Sequence, residues 1–566
     1  MDPVALSPDR RRSDLVRMSD EVFDILVIGG GVTGAGIALD AATRGLSVAL
    51  VEQRDLGAGT SSRSSKLIHG GLRYLEQLNF SLVREALKER GLLLHELAPH
   101  LVRPVSFLYP LQHRGWERLY VGAGIAMYDT IGGAKQLPRH RHLTRRGIAE
   151  LAPALRADAM VGAIRYYDAQ VDDARHTMEI ARTAAAFGAA VMTSTRVVGL
   201  LREGERVVGA HVIDHEGGRE LEVHARQVIN ATGVWSDEIQ SMAGRGRINV
   251  RASKGIHLVV PRDRIHSDSG IILRTETSVL FVIPWGRHWL IGTTDTDWDL
   301  DLAHPAASAS DIQYLLDRVN DVLSTPLTQE DVEGVQAGLR PLLTGESAAT
   351  SRLSREHAVA QSVAGLITVA GGKYTTYRVM AKDAVDAALR SLATGATPSV
   401  TDRTPLLGAQ GYHAMRNQRH RLAEESGLHP TRIEHLLGRY GSLITELLDL
   451  VSARPELGVP VDGADDYLEV ELFYAASHEG ARHLDDVLTR RTRISIETFD
   501  RGVAAARVAA RRMAEVLGWD EDDVAREIEH YEARVAAEVE SQRMPDDQTA
   551  DAARLGARDV RVGPTG

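Results

Sequence analysis

The chain has 566 residues, too many for one hydrophobic core, so roughly two to four domains are expected. Its formal net charge of −11 sets aside nucleic acid as a principal partner, because a phosphate backbone needs a basic surface. It has no cysteine, which excludes disulfides, thiolate nucleophiles, Fe–S clusters and the flavin enzymes that relay electrons through a cysteine pair.

Residues 1–20 mix Arg with Asp and carry no apolar h-region, so they are not a secretory signal and read as a flexible arm. The run DILVIG, ending at Gly29, is short and continuously apolar, as a buried parallel strand is. Gly29, Gly31 and Gly34 then spell G-x-G-x-x-G ahead of a helical stretch that stops at Gly45. A second apolar strand, 46–51, runs into Glu52. The order has a physical reason. Gly29 makes the tight turn, Gly31 lets the backbone approach a pyrophosphate, and Gly34 lets helix and strand pack closely. The unpaired N–H groups of the helix start face the anion. Glu52 accepts from ribose hydroxyls and repels a 2′-phosphate, which favours FAD or NAD. No second unit of this kind follows.

Next comes Gly59-Thr60-Ser61-Ser62-Arg63-Ser64-Ser65-Lys66, which suits a flavin's pyrophosphate and ribityl chain or is an ordinary polar loop. Leu82, Ala86, Leu93, Leu97 and Leu101 recur at helical spacing and predict a core-packed helix over 82–101. Strand-like runs across 105–165 and 246–340 predict an antiparallel sheet. Val228 to Gly233 and Ile367 to Gly372 each read as a strand entering a glycine turn, where ligands gather in open α/β sheets. Beyond 400 the texture is helical. Thr431 and Glu434 form a capping box before an apolar-periodic run to Val451, and another helix covers 502–517. Arg490, Arg491 and Arg493 read as a solvated cluster, with lipid headgroups or a partner subunit as the alternative contact. No run approaches the ~18 apolar residues of a spanning helix. Residues 541–566 read as a flexible tail.

The runs VIGGGVTGAGIALDAATRGLSVALVE, TSSRSSKLIHGGLRYLE, VDDAR, NATGVW, KGIHLVV, FVIPWG with IGTTD, GLRPLL and GGKYTTYR occur in this order over about 350 residues. They resemble the aerobic, respiratory FAD-dependent glycerol-3-phosphate dehydrogenases of bacteria. The C-terminal third resembles that family's helical cap only loosely.

The resemblance implies an α/β fold. Its Rossmann-like FAD-binding domain is built from discontinuous segments (21–104, 166–245 and 341–395). An antiparallel-sheet substrate domain (105–165 and 246–340) and a C-terminal helical domain (400–540) complete it. FAD is expected at Gly29, Gly31, Gly34, Glu52, Thr60, Ser61, Ser62, Lys66, Ala231, Thr232, Gly233, Gly372, Lys373 and Thr375. The implied substrate, glycerol 3-phosphate, needs several cations, and Arg is suited to clamp a phosphate bidentately. Arg73, Tyr74, Arg340, Arg355 and Lys373 match the family's substrate pocket. His69 and His257 are alternative bases for the hydroxyl proton, since an imidazole takes a proton at neutral pH. Arg340 is expected beside the reacting centre as well. Hydride transfer to the flavin would give dihydroxyacetone phosphate. No metal site is expected.

The resemblance further implies a membrane quinone as electron acceptor, and a homodimer lying on the inner face of the cytoplasmic membrane. The competing readings are an oxygen-using glycerol-3-phosphate oxidase, an amine- or hydroxyacid-oxidising flavoenzyme of the same fold, and a non-catalytic dinucleotide-binding regulator.

Overall fold

A computed structural model describes residues 4–71, 79–113, 115–131, 137–244, 246, 248–275, 279–344, 357–392 and 395–561. The first structured element is a helix, α1 (Pro8–Asp20), followed by β1 (Val22–Ile28), α2 (Val32–Thr43) and β2 (Val48–Val51). β1 lies between β2 and the strand Arg219–Asn230, parallel to both. Ala190–Met192 extends the sheet beyond β2, and Leu366–Gly371 extends it beyond Arg219–Asn230. Alternate side chains of β1 go to opposite faces. Ile25 and Val27 enter a core with α2, Asp173–Ala186 and Tyr377–Leu389, while Leu26 and Ile28 enter one with the Thr195–Glu203 and Arg206–Asp214 hairpin. A strand buried on both faces explains the continuous apolar run in the sequence.

The second sheet is mostly antiparallel and includes Val102–Leu111, Gly162–Val171, Val250–Pro261 and Gly334–Leu343. Its edge strand, Leu67–Ile68, follows directly on the hydroxyl-rich loop and pairs with Gly162–Val171. The loop therefore crosses from one sheet to the other. That seam is where the large cavity lies.

Several sequence expectations give way here. Residues 8–20 are not a flexible arm. Ser7 caps α1 by accepting from the Arg10 amide, Arg10 reaches the carbonyls of Ala185 and Ala189, and Asp14 and Met18 are buried. Residues 541–561 of the tail are held in a similar way. Asp546 caps the helix Asp547–Arg554, and Arg561 donates to both carboxylate oxygens of Asp486 at 2.8 Å. In both segments ions and hydrogen bonds join a few apolar contacts, Leu15 and Met18 in the first and Ala550 in the second.

The helix expected over 82–101 is an α-helix only from Phe80 to Leu92, then a π turn over Leu93–Leu97. Thr431 is not a cap, because the helix begins at Pro430 with His429 capping it. Gly441, at φ +59°, ends that helix, and a second one, Ile444–Ala453, carries the periodic run on to Val451. Val503–Leu517 is helical.

The largest departure concerns the basic cluster. Arg490, Arg491 and Arg493 are buried rather than solvated, each paired with a carboxylate. Arg490 and Arg491 take Asp55, and Arg493 takes Asp172 and Asp173. No helix among the described residues is long and apolar enough to cross a membrane.

Candidate functional site

The seam holds a cavity of about 340 Å3. Gly29, Gly31, Glu52, Thr60, Ser61, Ala231, Thr232, Gly233 and Gly372 all line it. So do His69, His257, Arg340 and Lys373. Thus the dinucleotide motif and most of the described catalytic candidates face one space.

The cradle requires its glycines. Gly29 sits at φ +107°, and a Cβ there would come within 2.7 Å of the Ala231 carbonyl oxygen. A Cβ on Gly34 would come within 1.8 Å of the Gly29 oxygen, so this glycine works beneath the cradle, where α2 crosses β1. The start of α2 carries no side-chain cap at Gly31, and the Val32 amide donates to Ser61 Oγ at 2.9 Å. Glu52 is held at the end of β2 by the amides of Gly30 (2.7 Å) and Arg54 (2.9 Å). Burial pushes its carboxyl pKa upward against those two hydrogen bonds. Glycine cradle, open helix terminus and fixed acid together fit the pyrophosphate and ribose of FAD.

The other wall belongs to the antiparallel sheet. Val250–Pro261 brings His257 into the cavity, and the paired strand places Arg340 opposite Ser253. Arg340 Nη2 donates to Thr293 Oγ1 and to the Thr294 carbonyl, both at 3.0 Å, and Nη1 lies 3.4 Å from Asp295. Gly255 makes room for it, since a Cβ there would lie 2.6 Å from Arg340 Nη2. His257 Nε2 is 2.9 Å from Ser65 Oγ, while buried Nδ1 has no hydrogen-bond partner among the described residues. Burial, then the charges of Arg340 and Lys66, push its pKa down to about 3, so the imidazole is neutral at neutral pH. The lining carries five cations (Arg54, Arg63, Arg196, Arg340, Lys373) against two carboxylates, Glu52 and Glu238. A chain of net charge −11 thus keeps a cationic chamber suited to an anionic ligand. A wider groove of about 1240 Å3, carrying Asp263, Asp268, Asp462 and Asp466, has the opposite character and would repel a phosphate.

Three of the expected residues stand behind the wall. Lys66 is fully buried, with Nζ 2.7 Å from Asp173 Oδ1 and 3.2 Å from the Ser62 carbonyl oxygen. Ser62 is buried beside it, and its carbonyl oxygen also accepts from Arg493. Thr375 Oγ1 accepts from the His69 amide at 3.2 Å and donates to the His69 carbonyl at 3.3 Å, fixing the backbone that presents His69. Arg73, Tyr74 and Arg355 lie outside the described residues.

Sequence reasoning passed over Arg54, Arg63, Ser65 and Trp235, which line the cavity. Arg63 and Ser65 sit inside the loop singled out for its hydroxyls, and Trp235 ends the run NATGVW. It also missed Asp172 and Asp173, which hold Lys66 and Arg493 from below.

Comparisons with known proteins agree with this architecture. A family model described as FAD dependent oxidoreductase matches residues 24–378, and one described as the C-terminal domain of alpha-glycerophosphate oxidase matches 399–524. "Glycerol-3-phosphate dehydrogenase 2" of Mycobacterium tuberculosis is 60% identical over 559 residues, 99% of this chain and 96% of the relative. The mitochondrial glycerol-3-phosphate dehydrogenase of Homo sapiens is 38% identical over 92% of this chain and 74% of its own length. Among solved structures, the glycerol-3-phosphate dehydrogenase of Bacillus halodurans complexed with FAD aligns at TM-score 0.78 and 30% identity, covering 94% of this chain and 97% of that one. Cradle, cationic chamber and whole-length similarity converge, and the chain belongs to the family of FAD-dependent glycerol-3-phosphate dehydrogenases.

Proposed function

We propose that the protein oxidises sn-glycerol 3-phosphate to dihydroxyacetone phosphate, with FAD as the immediate electron acceptor and a membrane quinone as the next. The observation that carries this reading is that Arg340, Lys373 and His257 line the cavity that also contains the Gly29–Gly31 cradle.

Bound FAD supplies the hydride acceptor. The chain's own residues do the rest. Arg340 and Lys373 hold the phosphate, with Arg73 and Arg355 as further members of the clamp. Arg340 is already oriented by Thr293, Thr294 and Asp295, so little ordering remains to be done on binding. His257 is neutral, stands with Nε2 2.9 Å from Ser65 on the cavity wall, and accepts the hydroxyl proton. Burial is the main cause of the low pKa, and a phosphate dianion on Arg340 offsets the larger of the two charges that add to it, which raises the basicity of the imidazole when substrate is present. His69, presented by its backbone bonds to Thr375, is the alternative base.

For the quinone, the helix Trp116–Ile131 supplies the supporting observation. It turns Trp116 (64% exposed), Leu119 (77%), Tyr120 and Met127 outward along one face. A solvated apolar face of this kind fits the acyl boundary of a bilayer. The protein then works as a peripheral enzyme on the inner face of the cytoplasmic membrane. The homodimer rests on the family resemblance alone.

Steady-state assays with a short-chain ubiquinone or with air separate the acceptors. Quinone-supported turnover without hydrogen peroxide is expected. Peroxide formed mole for mole with dihydroxyacetone phosphate would replace the quinone with oxygen.

A further inference from the structure

Behind the cofactor loop, between it and the last two helices, two arginines stand without a carboxylate among the described residues. Arg554 ends the helix Asp547–Arg554 and is 4% exposed, and its guanidinium reaches only His304 Nδ1, at 3.4 Å. Arg63 meets only the Ala337 carbonyl oxygen, at 3.5 Å. Four neighbouring arginines are paired. Arg490 and Arg491 have Asp55, Arg493 has Asp172, and Arg561 has Asp486. The nearby carboxylates are also engaged: Asp559 with Arg54, and Asp485 and Glu538 with Arg534. Arg554 is therefore surplus positive charge in a buried place, costly unless an anion completes it, and half-buried Arg63 stands on the wall shared with the flavin cavity.

Both arginines point at the same space. Two small cavities, of about 50 and 60 Å3, share Arg63, His304, Arg534 and Arg554 as walls. About 10–15 Å3 by this kind of measure holds one water, so each cavity has room for an ion of phosphate size but not for a nucleotide. Arg534 and Arg554 do not line the large cavity, so neither FAD nor the substrate there is their partner. Burial, then the charge of Arg534, pushes Arg63 down to about 9 and Arg554 to about 10, and both remain cationic at neutral pH. His304, held neutral by burial at about 4, accepts from Arg554 rather than adding charge.

We propose that Arg63, Arg534 and Arg554 form a second oxyanion site, sized for inorganic phosphate or sulfate, that locks the C-terminal helices onto the cofactor loop. Arg63 lines both this site and the large cavity, so the ion steadies the loop that faces FAD. Stability and flavin retention then rise with phosphate concentration by mass action. The proposal stands independently of the substrate reading, since none of these residues is assigned to the glycerol phosphate clamp.

The test uses the FAD-loaded full-length protein at constant ionic strength, replacing sodium chloride with sodium phosphate and following the melting temperature. Phosphate also competes at the substrate pocket, so the series is repeated in Arg340→Gln. The expected result is a saturable rise in both proteins, reproduced by sulfate but not by acetate. In Arg554→Gln the apparent affinity should weaken at least about tenfold, as for loss of a charge-assisted hydrogen bond. Arg63→Gln is the second variant should Arg554→Gln fail to fold, with the same expected weakening. A tungstate soak of crystals should place the ion between Arg63 and Arg554. No saturable rise, a rise lost only in Arg340→Gln, or tungstate confined to the large cavity would overturn the proposal.

Discussion

Arg491 grips Asp55 through two parallel hydrogen bonds, Nη2 to Oδ1 at 2.7 Å and Nη1 to Oδ2 at 2.8 Å. Arg490 adds a third to the same carboxylate at 2.6 Å. Asp55 lies in the loop that runs from Glu52 to Lys66, so the C-terminal region reaches across and fixes the floor of the flavin cavity. Arg493 does the same lower down, at Asp172 and Asp173, where Lys66 also ends.

Removing one partner of such a buried pair leaves the other charge stranded, at a cost of roughly 3–5 kcal/mol. Arg491→Ala should therefore lower the melting temperature and release FAD on gel filtration. A variant that melts with the wild type and stays yellow would mean that the pair carries no load.

In the proposed clamp, Arg340→Ala removes one charged contact to the phosphate. Such bonds are worth about 1.5–3 kcal/mol, so KM for glycerol 3-phosphate should rise at least ~10-fold. The flavin content should stay unchanged, because Arg340 is held by Thr293, Thr294 and Asp295 and by no residue of the glycine cradle. An unchanged KM takes Arg340 out of the clamp.

His100 is fully buried, and neither ring nitrogen has a hydrogen-bond partner among the described residues. Burial, then the charge of Arg175, pushes it down to about 3. Unfolded, the ring takes up its proton near 6.5, so between these values the unfolded chain binds the extra proton. This contribution to stability is complete above pH 6.5 and falls as the pH drops toward 3, by up to ~1.4 kcal/mol per pH unit. His100→Leu should flatten the acid limb of stability between pH 6 and 4 by about that slope. Urea unfolding across the range decides it, and parallel acid limbs would show that His100 is not held neutral in the fold.

On the Trp116–Ile131 helix, Leu119→Glu should weaken binding to anionic vesicles roughly tenfold or more, as expected for losing one inserted leucine and adding a negative charge. Turnover with a soluble dye should persist, because Leu119 is 77% exposed and lines no part of the flavin cavity. Vesicle flotation unaffected by the substitution would move the membrane contact elsewhere.

The parts of this protein legible in its sequence are those whose physics is local. The turn at Gly29, the packing at Gly34 and the acid at Glu52 fall within one strand–helix–strand unit; Gly29 and Glu52 line the cavity and Gly34 packs beneath it, as that spacing implies. What escaped depends on distant partners. Arg491 and Asp55 are 436 residues apart, and Arg493 and Asp172 are 321 apart, so nothing near three arginines reveals that they are buried. α1 hid for a related reason, since Arg10 and Asp14 help to fix it through ions and carbonyls. Lys66, in a loop rich in hydroxyls, turns inward to Asp173. Loop composition cannot show which side a residue faces.

The central claim is that this cavity oxidises glycerol 3-phosphate with bound FAD. Anaerobic mixing of the purified yellow protein with glycerol 3-phosphate, followed by flavin absorbance, tests it most directly. The account predicts rapid bleaching, with colour restored on adding a quinone. A protein that stays oxidised with glycerol 3-phosphate yet bleaches with an amine or a hydroxyacid would contradict it.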